Sequence, residues 1–269
     1  AWADAAAGQG DRRAVAVVGD ASIGTGPSLA GLNNLASLRR QFLVVLNDNS
    51  MAIDRTRGGL AHALDRVRLT GTYAELKHST ESFLQHIPLG GELAQRLRDL
   101  RDGLRTTLHG GQLFETLGVR YFGPVDGHDL PEMLRLLPRL AALPEPVLLH
   151  VRTQKGRGCQ YAVDDPCQFH SPSAFRVDGG KAVFTPKPRP TWTEAFAEAL
   201  VARARSDDRI VALTAAMPDG TGLVPFREAC GDRCLDVGLA APPAIALAAA
   251  LAQAGRRPGV APYATFAQP

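Results

Sequence analysis

A chain of 269 residues, 45% hydrophobic and 21% charged, is long enough for two ordinary domains and apolar enough to bury a core. Its formal net charge of +3 is small for that length, and its arginines are interspersed with Asp and Glu, which argues against a nucleic-acid-binding surface. Four cysteines, Cys159, Cys167, Cys230 and Cys234, make no C-x-x-C pair, so they read as incidental thiols of a reducing compartment and not as zinc ligands or a disulfide framework. The Ala-rich start, Ala1 to Gly10, reads as the tail of a helix and has neither a basic nor an apolar leader region. The most apolar stretch, Leu239 to Ala254, is broken by Pro242-Pro243 and is short for a membrane span. The expectation is a cytoplasmic protein with no membrane partner.

The first informative stretch follows at once. Ala14 to Val18 is a short apolar run that stops at Gly19-Asp20-Ala21-Ser22, and Phe42 to Leu46 is another that stops at Asn47-Asp48-Asn49. Between them Gly24 and Gly26 open a segment with Leu29, Leu32, Leu35 and Ala36 at helical spacing, which suits a crossover helix. Two strands joined in this way are parallel, and both polar turns then lie at their carboxyl ends, where open α/β sheets bind ligands. An Asp and an Asn offered there are hard oxygen ligands suited to Mg²⁺ with a phosphate completing its shell. Either turn alone would be plain turn chemistry; the pair at this spacing favours a shared ligand.

Leu60 to Arg105 is helical in pattern but interrupted by Gly71, Pro88, Gly90 and Gly91, and reads as a lid-like surface excursion. A helix ending at Gly118 leads to a strand at Val119 to Phe122 and a rigid turn, Gly123-Pro124-Val125-Asp126-Gly127-His128-Asp129. Asp126 and His128 invite a catalytic reading, although such residues in a Pro-Gly turn more often hydrogen-bond the loop into shape. Leu130 to Ala142 reads as an amphipathic helix and Pro146 to Val151 as the next buried strand. The strand runs out into Lys155-Gly156-Arg157-Gly158, a basic Gly-rich loop that lets backbone N–H groups and a cation approach a phosphate.

From Ser171 to Pro190 the Pro-rich texture reads as a linker. Thr193 is expected to cap a helix with Glu194 in its first turn and Phe196, Leu200 and Val201 on its apolar face. Strands are expected at Ile210 to Thr214, Cys234 to Val237 and Gly259 to Phe266, with a helix from Ala244 to Ala252. The βαβ rhythm predicts an α/β architecture of parallel sheets flanked by helices.

Gly-Asp followed after a crossover by Asn-Asp-Asn resembles the metal and diphosphate signature of enzymes that use thiamine diphosphate. The wider context is similar to the 1-deoxy-D-xylulose-5-phosphate synthase family: Val45 to Ile53 resembles its second motif, and Gly123 to Asp129 and Lys155 to Gly158 resemble further hallmarks. The resemblance implies a transketolase-like thiamine-diphosphate-binding fold whose second domain is incomplete. Residues 1–180 would form the diphosphate and Mg²⁺-binding domain without its upstream part, 181–190 a linker, and 191–269 the first part of the pyrimidine-binding domain. It implies Asp20, Asn49 and the Met51 carbonyl as metal ligands. Ala21, Ser22, Asn49, Lys155, Cys159, Met217 and Phe266 would lie against the cofactor, and His170 near the reacting carbon.

The implied reaction joins pyruvate to glyceraldehyde 3-phosphate, a step toward isoprenoid precursors and thiamine, in a homodimer. The cofactor carries the hard chemistry; the protein must anchor its diphosphate through Mg²⁺ and press a carboxylate against its pyrimidine ring. Three departures bear on this. Ala21 replaces a Gly, with an expected cost in room and in any positive φ the turn requires. Cys159 stands where the family often has an aromatic residue. Ala241 occupies the position of the Glu that contacts the pyrimidine, and a methyl group cannot share a proton. The expectation is therefore a family member inactive as an isolated chain, with two alternatives: a non-catalytic scaffold that binds cofactor or a partner, or one piece of a split enzyme.

Overall fold

The computed structural model describes residues 8, 12–38, 40–52, 58–60, 62–64, 111–185, 189–239 and 241–267. All but Gly8 of the expected helix tail at Ala1 to Gly10, and nearly all of the expected excursion from Leu60 to Arg105, lie outside the described residues. Packing divides the chain into two compact units, residues 1–50 with 59–153, and residues 51–58 with 154–269. The division falls at Thr153–Gln154, upstream of the Pro-rich stretch expected to separate the domains.

The first unit is built on strands β1 (Val15–Gly19), β2 (Phe42–Asp48), β3 (Arg120–Asp126) and β4 (Pro146–Arg152) in the order β1-β2-β4-β3. All three pairings are parallel. Its helices include α1 (Gly26–Leu38), α2 (Gln112–Thr116) and α3 (Leu130–Ala141). Because side chains alternate across a strand, the apolar runs of β2 and β4 feed two cores. Leu43, Val45, Val147, Leu149 and Val151 pack with Leu136 and Leu140 of α3 on one face. Val44, Leu46, Leu148 and Tyr121 pack with Leu32 and Leu35 of α1 and Phe114 of α2 on the other. Leu29, expected on the buried stripe of α1, is largely exposed, because Leu32 and Leu35 carry the contact. Burial on both faces is what near-continuous Val and Leu runs specify in a parallel sheet.

Strand β3 differs from expectation. It does not stop at Phe122 but continues through a register shift between Phe122 and Val125, so that the turn proper is Gly127 to Asp129. Gly123 sits at the irregularity with φ 114° and lies against the carbonyl of His150, where a Cβ would overlap. The Gly123–Pro124 peptide is cis. Helix α3 then starts from Asp129, whose Oδ1 accepts the Glu132 N–H at 3.0 Å.

The second unit contains α4 (Gln160–Asp164), a hairpin of β5 (Phe175–Asp178) and β6 (Lys181–Phe184), α5 (Trp192–Ser206), β7 (Ile210–Thr214), α6 (Val224–Cys230), β8 (Cys234–Asp236), α7 (Ala241–Gln253) and β9 (Arg257–Val260). The last three strands form a parallel sheet in the order β8-β7-β9. The antiparallel hairpin occupies part of the stretch read as linker. Phe175 and Phe184 lie 5.4 Å apart, with Phe169 5.4 Å from Phe175 and Tyr161 5.1 Å from Phe169, so an aromatic cluster and not a core sheet holds it.

Two further expectations are corrected here. The cap of α5 is Thr191, not Thr193: its Oγ1 accepts the Glu194 N–H at 3.2 Å while Glu194 Oε2 accepts the Thr191 N–H at 2.6 Å, a reciprocal box that demands a three-residue spacing. The buried face of α5 accordingly carries Ala197 and Ala204 with Leu200 and Val201, and Phe196 points outward. The last strand is Arg257–Val260, and Ala264 to Phe266 form a short 3₁₀ turn instead of its continuation.

Candidate functional site

Each unit carries one parallel sheet, so the turns that follow its strands share one carboxyl edge, and each edge is described by itself. At the first, β1 delivers Asp20, which is only 3% exposed. Its N–H donates to the carbonyl of Asn47 at 3.1 Å, tying the turn after β1 to the end of β2. Ala21 is right-handed helical, φ −72° and ψ −37°, and leads into a 3₁₀ turn at Ser22 to Gly24. The expected conformational cost of Ala in place of Gly is therefore absent, since this turn needs no positive φ there.

Strand β2 ends in residues that part company by alternation. Asn47 accepts the Thr153 hydroxyl on Oδ1 at 2.6 Å, and Asn49 is half-buried in the turn. Asp48 faces inward: Oδ2 lies 2.7 Å from His150 Nε2, and His150 Nδ1 lies 2.6 Å from the Tyr121 hydroxyl. All three side chains are buried. Burial, and then the Asp48 carboxylate, push the Tyr121 phenol far above its ordinary value, so it stays protonated. The sequence reading missed this chain of groups. Its signal was period-two alternation, which sets Asp48 on the face of Val44 and Leu46. Ser50 follows in the left-handed region, φ 62°, and its N–H donates to Asp48 Oδ1 at 3.3 Å.

Asp126 and His128 form a local turn: Asp126 Oδ1 accepts the His128 N–H at 2.9 Å and the Asp126 carbonyl accepts the Asp129 N–H at 3.2 Å. Loop shaping, not chemistry, explains that arrangement. Among the described residues no group of three or more His, Cys, Asp or Glu side chains could hold a metal ion. Asp20 and Asn49 offer one carboxylate and one amide at this edge, a different donor class of hard oxygens of the kind that suits Mg²⁺.

In the second unit Met51 is half-buried, and the ammonium of Lys155 donates to the Ala52 carbonyl at 2.7 Å. Gly156, φ 81°, lies so close to the Ala162 carbonyl that a Cβ could not be placed, which explains the glycine in this loop. Cys159 precedes α4, partly buried. His170 ends a 3₁₀ turn; desolvation of its ring, though the residue as a whole is exposed, and then the Lys155 cation hold it below the usual histidine value.

At the carboxyl edge of the second sheet, Met217 is buried beyond β7, after Ala216 in the left-handed region at φ 60°. The Ala216 and Gly238 N–H groups both donate to Asp236 Oδ1, at 2.8 and 3.0 Å. Gly220 packs directly on the Tyr263 hydroxyl, so the loops after β7 and β9 touch. Phe266 is 53% exposed, its ring 6.1 Å from that of Tyr263. Ala241 is the first residue of α7, with Pro242 and Pro243 in the first turn where proline is tolerated. The edge thus presents a methyl group at Ala241 and carries no acid there. Among the described residues no helix is long and apolar enough to cross a membrane.

Two parallel α/β units, the first with an acid and amide turn pair at its carboxyl edge, define a transketolase-like chain. Residues 1–153 match the family model described as 1-deoxy-D-xylulose-5-phosphate synthase, and residues 189–268 match the pyrimidine-binding domain of transketolase. The chain belongs to the 1-deoxy-D-xylulose-5-phosphate synthase family. It is 42% identical over 262 residues to 1-deoxy-D-xylulose-5-phosphate synthase of Rhodopirellula baltica, covering 97% of this chain and 41% of that protein. To the enzyme of the same name from Clostridium acetobutylicum it is 37% identical over 254 residues, covering 94% and 41%. To that of Thermomicrobium roseum it is 42% identical over 261 residues, covering 97% and 40%. The chain therefore spans about 40% of the length of these curated relatives.

Proposed function

We propose that this chain carries the metal and diphosphate half of a thiamine diphosphate site, together with a pyrimidine-facing half that lacks its activating acid. In this reading it binds Mg²⁺ and thiamine diphosphate but does not by itself turn substrate over. The observation that carries the reading is the contrast between the buried Asp20 carboxylate and the methyl group of Ala241. Asp20 and Asn49, with the Met51 carbonyl, would hold Mg²⁺, and Ala21 and Ser22 would lie along the diphosphate. Lys155, Cys159, Met217 and Phe266 would border the cofactor, and the ring of His170, held below its usual pKa, would stand neutral near it, able to accept a proton.

When bound, thiamine diphosphate supplies the carbon nucleophile that takes up the two-carbon unit of pyruvate. In the whole protein the substrates would be pyruvate and glyceraldehyde 3-phosphate, and the assembly a homodimer. The residues fit the metal and diphosphate and do not fit activation of the pyrimidine ring: Ala241 has no proton to share. The chain then resembles its relatives in binding and departs from them in turnover.

Calorimetric titration with thiamine diphosphate, with and without Mg²⁺, tests the binding half; no heat at millimolar cofactor would sink it. Pyruvate decarboxylation tests the other half, comparing the unmodified chain with Ala241→Glu. Turnover by the unmodified chain would overturn the inactive reading.

A further inference from the structure

The buried chain Tyr121–His150–Asp48 crosses three neighbouring strands, β3, β4 and β2, on the face packed by α1 and α2. The Asp48 carboxylate can only accept, so in the neutral imidazole the proton sits on Nε2, and Nδ1 is left to accept the Tyr121 hydroxyl. Tyr121 is in turn held by Phe114, ring stacked on ring at 5.9 Å and 6°, and meets His150 edge-on at 5.8 Å. Gly123 abuts the His150 carbonyl. Such a network is an expensive substitute for the leucines around it, because each buried polar group must be satisfied to break even. The chain ends at the one carboxylate oxygen that faces the turn, and there the Ser50 N–H donates. Ser50 is a non-glycine residue in the left-handed region, a conformation that persists only where the surroundings impose it.

We infer that Asp48, His150 and Tyr121 are positioning residues: they hold Ser50 in its left-handed conformation and thereby fix the direction in which Asn49 leaves strand β2. The inference deepens the proposed Mg²⁺-binding role of Asn49 and rests on it only for its functional consequence. The hydrogen-bond chain also has a direction that can be reversed. In Asp48→Asn, the amide oxygen still accepts the Ser50 N–H and the amide nitrogen donates to Nε2. The imidazole proton then moves to Nδ1 and donates to the Tyr121 oxygen, so the connections survive without the charge.

The test is amide exchange followed by NMR on the full chain, with the Leu148 amide of β4 as the internal reference for global opening. Asp48→Ala is expected to raise Ser50 exchange about tenfold relative to Leu148, Tyr121→Phe about threefold, and Asp48→Asn not at all. A parallel calorimetric titration with thiamine diphosphate and Mg²⁺ is expected to show affinity lowered about tenfold in Asp48→Ala and retained in Asp48→Asn. Equal increases at Ser50 and Leu148 would make the network merely structural and overturn the inference. So would loss in Asp48→Asn as large as in Asp48→Ala. Should Asp48→Ala fail to fold, Tyr121→Phe decides, and unchanged Ser50 exchange there overturns the inference. Absence of binding by the unmodified chain would defeat the cofactor reading alone, leaving Ser50 exchange to judge the positioning role.

Discussion

Each unit carries a parallel sheet, and the two differ in the chemistry of the sheet edge. In the first, parallel strands end in Asp20, Asn47, Asp48 and Asn49, and a core of Leu, Val and Phe side chains on both faces fixes that edge. In the second, the turn after β7 and the start of α7 carry alanines, Ala215, Ala216 and Ala241, with Met217, and Asp236 spends one carboxylate oxygen on two backbone N–H groups. Parallel βαβ topology places turns at an edge; it does not say what those turns do. The residue types decide, and on the proposed reading they give binding to one unit and leave the other without an acid at Ala241.

The largest expected effect separates the units directly. Asp20→Ala should lower Mg²⁺-dependent thiamine diphosphate affinity by about a hundredfold or more, since it removes the proposed anionic ligand. Ala241→Glu should leave that affinity within a few-fold and instead confer pyruvate decarboxylation. Equal effects of the two changes on binding would erase the distinction. Next in size is the core that fixes the first edge. Leu148 is fully buried, and Leu148→Ala should cost about 2–5 kcal/mol in denaturant unfolding. A smaller loss would show that the site rests on a softer sheet than its burial implies.

How much of this was legible follows from which signals are local. The crossover from Gly19 to Asn47 was readable because apolar runs, helical spacing and polar turns coincide within 35 residues, and β1, α1 and β2 lie close to their expected places. Asp48 was read with its neighbours as one polar cluster, whereas strand alternation turns it inward to His150, a partner 102 residues away that no local pattern reveals. The hairpin of β5 and β6 was hidden by the prolines around it, because its anchor is a set of aromatic contacts among Tyr161, Phe169, Phe175 and Phe184. The cap of α5 was misplaced by two residues: Thr191 and Thr193 both precede a helical pattern, and only the spacing to Glu194 distinguishes them. Strand β9 was set too late because Arg257 and Pro258 resemble turn sequence, while its pairing with Ile210 and Val211 is long-range.

Thr191 offers a smaller test of the second unit. Thr191→Ala leaves the Glu194 N–H in the first turn of α5 without its acceptor and should cost about 1 kcal/mol, read as a shift in the denaturant midpoint with unchanged slope. Because that helix packs Ala197 and Ala204 into the second core, the loss should appear in global unfolding and not merely as fraying. An unchanged midpoint would mean that the alanine-rich core, and not the cap, sets the stability of this unit.

The smallest effect lies on the surface of the same unit, at Asp207. Its carboxylate accepts the Arg209 Nε–H at 2.9 Å and Nη2–H at 3.0 Å and the Arg257 Nη1–H at 2.9 Å. These hydrogen bonds, foremost those from Arg209, hold it well below the ordinary carboxylate range; the guanidinium groups cover it, not the protein interior. A carboxylate with a depressed folded-state pKa binds its proton later in the folded than in the unfolded chain. Its contribution to stability is therefore fully present above the ordinary value of 3.8 and is lost as pH falls below that value. The melting temperature of Asp207→Asn should lie slightly below that of the parent at pH 7, and the gap should narrow steadily on acidification below that value and shrink in high salt. A gap unchanged in acid would show that the contribution does not come from the carboxylate charge.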